Sequence, residues 1–70
     1  MSVYSLDHLA RVLSSQISIP AVYNSINTRL IIQTGVNLKK LSPEQCANRE
    51  LLQKVLAALD KMGVTVEETK

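Results

Sequence analysis

Pro20-Ala21-Val22-Tyr23-Asn24-Ser25-Ile26-Asn27-Thr28-Arg29-Leu30-Ile31-Ile32-Gln33-Thr34-Gly35 is the stretch whose conformation sets the fold class. Both ends carry helix signals. Proline suits a first helical position, where its missing N–H costs nothing, and Ser18 sits just before it. Gly35 can supply a left-handed stop, with Val36 packing back over the last turn. Between these ends, Val22, Ile26 and Leu30 make one apolar face. Ile31 and Ile32 fall on the other side, where a lone surface helix should be polar. The β-branched pair would also suit a strand over Arg29 to Thr34. The paired end signals favour a helix over 20–34, buried on two sides.

Two further helices flank it. The first is expected over 6–16, with Leu6, Leu9, Ala10, Leu13 and Ile17 at helical spacing. Ser5 is its N-cap, and Asp7 in the first turn suits the helix dipole. The third is expected over 43–62. Ser42-Pro43-Glu44-Gln45 reads as a capping start. Ala47, Leu51, Val55, Leu59 and Met62 form its stripe, widened by Leu52, Leu56 and Ala58. Asn48 offers an alternative later start that would split off a short first turn. Gly63 ends this helix as Gly35 ends the second, with Val36 and Val64 following alike. A shared stop of Schellman type explains that echo better than a duplication. Val64-Thr65-Val66 alternates and suits a short strand, and the 67–70 tail is expected to fray.

Composition bounds the rest. The chain has 70 residues, 46% of them apolar, with one cysteine, one histidine, two tyrosines and no tryptophan or phenylalanine. It holds one small domain, too short for a cofactor-binding α/β sheet. One cysteine excludes an internal disulfide, and one cysteine with one histidine excludes the usual four-ligand zinc site. A domain this small is marginally stable alone. With neither staple available, an aliphatic core completed by a second copy is the expectation. The fold class is therefore all-α, a three-helix domain working as a homodimer.

Nothing in the inventory points to catalysis or a cofactor. His8 reads as a surface or partly buried helix residue, and Cys46 as a small buried hydrophobe. There is no phosphate-binding glycine loop or nucleophile elbow. No apolar run approaches the roughly twenty residues of a membrane span. The absence of a targeting pattern and the lone thiol give a cytoplasmic expectation, with no membrane partner.

Charge is unevenly spread. The net charge is +2, yet no acid lies between His8 and Pro43. That stretch carries Arg11, Arg29, Lys39 and Lys40, together with many Ser, Thr, Asn and Gln. Such side chains contact phosphates and base edges, and an acid-free surface does not repel DNA.

Leu6-Asp7-His8-Leu9-Ala10-Arg11-Val12-Leu13, followed by Ser18-Ile19-Pro20-Ala21-Val22-Tyr23-Asn24-Ser25-Ile26, resembles the helix-turn-helix of bacterial transcription regulators. The likeness covers about 20 of the 70 residues. It departs in its longer break and in Ser14, which stands where a turn glycine is usual. The resemblance implies that Ala21, Asn24, Ser25 and Thr28 face a major groove, and that Arg11, Lys39 and Lys40 touch phosphates. Ile31, Ile32, Leu52, Leu56 and Leu59 would then build the dimer.

A second reading uses the same apolar faces differently. The chain would be a protein-interaction module (an antirepressor, connector or adaptor) that receives a regulatory partner's helix without touching DNA.

Overall fold

Local capping chemistry sets where each helix begins. The computed structural model describes residues 5–66, and these form four helices and no strand. They are α1 (Leu6–Gln16), α2 (Pro20–Thr34), α3 (Pro43–Ala47) and α4 (Arg49–Lys61). The Ser5 hydroxyl accepts from the His8 N–H at 3.2 Å and so closes the start of α1. At α3 the capping box is complete: Gln45 N–H donates to Ser42 Oγ, and Ser42 N–H donates to Gln45 Oε1. Pro20 opens α2 without any side-chain cap, Ile19 standing at the N-cap.

The expected third helix is two helices, because Asn48 interrupts it. Asn48 adopts an extended conformation, and its Oδ1 accepts from the N–H groups of Glu50 and Leu51. The carboxamide offers the backbone a fresh cap just where the helix would have continued. Ala47 accordingly leaves the expected stripe and is exposed, while Leu52, Val55, Ala58 and Leu59 form the buried side of α4.

The two glycine stops differ in detail. Gly35, at φ 75°, ends α2 with one bond from its N–H to the Ile31 carbonyl at 2.9 Å. Gly63, at φ 76°, makes the fuller Schellman pair: its N–H reaches the Asp60 carbonyl and Val64 N–H reaches that of Leu59. Val64 and Val66 pack against the core without pairing into the expected strand. A strand needs a partner edge, and burying two valines does not. The expected fraying at 67–70 lies outside the described residues.

The core is almost wholly leucine and valine. Leu6, Leu9 and Leu13 of α1 meet Leu30 of α2, Val36 and Leu38 of the following loop, and Leu52, Val55 and Leu59 of α4. The main helix pairings are α2 with α4 and α1 with α3. At about 22 Å, α2 spans most of a molecule measuring 29 × 28 × 21 Å.

One polar side chain enters this core. The expected inner face Val22, Ile26, Leu30 is rotated toward Tyr23, Asn27 and Leu30. Val22 is exposed, while Asn27 is only 5% exposed. Asn27 Oδ1 accepts from the Leu38 N–H at 2.8 Å, and Asn27 Nδ2 donates to Asn37 Oδ1 at 2.9 Å. Asn37 Oδ1 also accepts from the Lys39 N–H, which shapes the turn over 37–40. The carboxamide thus fixes the loop that delivers Val36 and Leu38 to the core.

Replacing Asn27 by Ala should leave the buried Leu38 N–H without its partner. The expected cost is about 1–3 kcal/mol. For a domain of this size, a thermal scan should show a midpoint lower by on the order of 10 °C. An unchanged midpoint would show that the clamp carries no stability.

Candidate functional site

Because Tyr23, Asn27 and Leu30 turn inward, the opposite side of α2 faces solvent. Ala21, Ser25, Thr28 and Ile32 run along its centre, flanked by Val22 and Arg29 on one side and Asn24 and Ile31 on the other. All eight are exposed. Arg29 is the only charged residue in the helix. The four residues expected to face a DNA groove, Ala21, Asn24, Ser25 and Thr28, therefore do share one surface. Thr28 Oγ1 is partly committed, since it donates to the Asn24 carbonyl at 2.9 Å.

The expected phosphate contacts are dispersed. Lys39 lies against this helix: its Nζ donates to Asn24 Oδ1 and sits 5.7 Å from the centre of the Tyr23 ring. That placement combines a hydrogen bond with a cation–π contact. Lys40 is exposed. Arg11 is on α1, where Asp7 one turn earlier holds its guanidinium at 2.9 Å.

The expected interface residues also divide. Ile32 is 78% exposed and Ile31 40% exposed. Leu52 and Leu59 are buried within this chain, because α4 needs both to cover α1 and α2. They are unavailable to a partner. Leu56 is half-buried against the core.

Beside the Val22–Arg29 flank, the chain leaves an open groove of about 340 Å³. Val22, Ile26, Arg29, Met62 and Val64 line it, so its walls are mostly apolar with one guanidinium. A smaller recess of about 220 Å³ lies beside Gln33, Thr34, Lys54 and Lys61. Among the described residues, no group of three His, Cys, Asp or Glu side chains is placed to hold a metal. Cys46 is a free thiol, half-buried on α3 and outside the core cluster, where a buried position was expected. No described helix is long and apolar enough to cross a membrane.

The link from α1 to α2 is the three residues Ile17, Ser18 and Ile19. α1 continues through Ser14 and Ser15, whose hydroxyls donate back to the carbonyls of Arg11 and Val12. Such a connection has helix-turn-helix length. The pairing differs, however, since α1 packs chiefly on α3 and α2 chiefly on α4.

Sequence reasoning missed the Asn27–Asn37 clamp, the Lys39–Tyr23 stacking and the groove. The first had a signal: Asn27 lies four residues after Tyr23 and three before Leu30, the spacing of a core position. Lys39 and Met62 come to α2 only through the tertiary fold, so no local pattern marks them.

No family model, curated protein or solved structure matches this chain.

Burial pushes the Tyr23 phenol up from its ordinary 10.0. The unfolded chain then loses that proton first as pH rises. The stabilising contribution is full below about pH 10 and is lost as pH rises through the folded-state value. Urea midpoints of the wild type should fall more steeply above pH 10 than those of Tyr23→Phe. Parallel curves would show that the phenol's surroundings do not oppose its ionisation.

Proposed function

We propose that this chain is a small regulatory interaction module, working as a homodimer and acting through α2. It binds a helix of a partner and performs no chemistry on a substrate. One observation carries the reading. The four large hydrophobics that the described residues leave exposed are Ile19, Val22, Ile31 and Ile32. Three belong to α2 and the fourth is its N-cap. Scattered exposed aliphatics need no explanation. Three on one helix with a single charge, and a fourth at its N-cap, do, because a solvated helix face ordinarily carries charge. Covering them also supplies the burial that a domain this small lacks. The free Cys46 thiol accords with a cytoplasmic location.

A DNA-binding regulator is the second reading, favoured by the acid-free surface of Ala21, Asn24, Ser25 and Thr28. Phosphate contacts dominate such affinity. Two of the three cations expected to make them already have partners, Arg11 with Asp7 and Lys39 with Asn24. The two readings also compete for one face, since Ile32 lies in line with Ala21, Ser25 and Thr28.

The tagged protein should capture a protein partner from nuclease-treated lysate, and a Val22→Glu/Ile32→Glu variant should not. Both positions are exposed, so the variant should keep its helical circular dichroism. Capture that disappears with nuclease, or survives both substitutions, would overturn the interaction reading. In a gel shift, joint replacement of Asn24, Thr28, Lys39 and Lys40 by Ala should change nothing. A shift by the wild type that this variant loses would establish the DNA reading instead.

A further inference from the structure

We propose that the helix covering α2 is α2 of a second copy, running antiparallel to the first. This rests on the interaction reading and assigns the occupant of its face.

The periodicity comes first. Ala21, Ser25, Thr28 and Ile32 are spaced four, three and four, the seam spacing of paired helices. All four are exposed, and Ile32 is the most exposed large hydrophobic among the described residues. Val22 at 44% and Ile31 at 40% widen the apolar surface on either flank.

Residue sizes then select the direction. In an antiparallel pair centred between Ser25 and Thr28, Ala21 of each copy faces Ile32 of the other. Ser25 of each copy faces Thr28 of the other. The Ala21–Ile32 layers at both ends pair a small with a large side chain, and the Ser25–Thr28 layers between them pair two small ones, so the two ends are held at one spacing. A parallel pair would stack Ile32 on Ile32 at one end and Ala21 on Ala21 at the other. Interaxial distance follows the side chains at the contact, so those helices would splay. The two-fold also makes the surface self-complementary, as a closed dimer requires.

Polar and charged groups agree with that register. Thr28 Oγ1 already donates to the Asn24 carbonyl, so its oxygen is left to accept. The Ser25 hydroxyl of the other copy supplies the donor. Antiparallel two-fold pairing brings like flanks together, which sets Arg29 beside Val22 of the second copy and about 7.5 Å along the axis from the other Arg29. Its alkyl stem can lie along the valine while the guanidinium stays in water. On the same flank the Arg29 stem of the second copy, level with Asn24 and Ser25, meets the groove that Val22, Ser25 and Ile26 line together with Met62 and Val64. Antiparallel helix dipoles add a favourable term.

The experiment uses the full chain and begins with light scattering. The wild type should have about twice the 7.7 kDa chain mass at micromolar concentration. Ile32→Glu should weaken dimerisation roughly 100-fold while its circular dichroism is kept. Direction is read by mixing Ala21→Cys with Ile32→Cys, both in a Cys46→Ser background, under mild oxidation. The expected product is the mixed disulfide between positions 21 and 32. Homodisulfides formed at position 21 or at position 32 in its place would overturn the antiparallel arrangement. A monomeric wild type would overturn self-pairing altogether. In that case lysate capture sensitive to Val22→Glu/Ile32→Glu would still uphold partner binding through α2 without the homodimer, so the two failures are distinguishable.

Discussion

The Asn27 carboxamide holds the two halves of this molecule in register. A loop follows α2 and must place Val36 and Leu38 in the core. Those side chains cannot be buried without also burying backbone N–H groups, and an unpaired buried N–H is costly. Asn27 accepts from one of these groups, that of Leu38, and donates to Asn37, whose own side chain shapes the turn. The turn in turn sets Lys39 against Tyr23 and Asn24, one helical turn earlier on α2. The approach of the chain to α3 and α4 therefore depends on one buried polar group, and that group has both of its ends satisfied.

That clamp also fixes the rotation of α2. With Asn27, Tyr23 and Leu30 inward, Ile32 and Val22 must point away from the core. The inner face is completed by α4 and by the loop, and neither reaches the outer one. An outer face with one arginine and several aliphatics is an unusual solvent surface for a helix in so small a domain. It holds three of the four large hydrophobics that the described residues leave exposed. The same rotation exposes the small polar residues that suggested a DNA groove contact. Protein docking and groove contact thus converge on one surface as rivals.

Helix boundaries were readable from the sequence because capping is local. Ser5, Pro20, Ser42 with Gln45, and the two glycines each act within a few residues of themselves. Asn48 was readable as a cap, and whether the helix ran through it was a competition between one side chain and the continuing backbone. Partition of the apolar residues was less readable. Leu52 and Leu59 look as available for a dimer as Ile31 and Ile32 do, since all four are aliphatic residues on helices. Intramolecular packing claimed the first two and left the second two exposed. Val22, expected on the inner face, is exposed and Asn27 is buried for the same reason. The inner face of α2 is chosen by what the loop and α4 bring to it, and hydropathy alone favours the valine.

By itself, then, the sequence determined an all-helical fold, most of the residues at which its helices start and stop, and a central helix with aliphatic residues on two sides. These follow from short-range chemistry: a proline without an N–H, a hydroxyl or carboxamide capping nearby amides, a glycine at positive φ. Only the tertiary structure decided which side of that helix is core. The deciding contacts join Asn27 to residues 37 and 38, and Tyr23 to Lys39. They span ten or more residues, and their worth depends on water being excluded by leucines drawn from all along the chain.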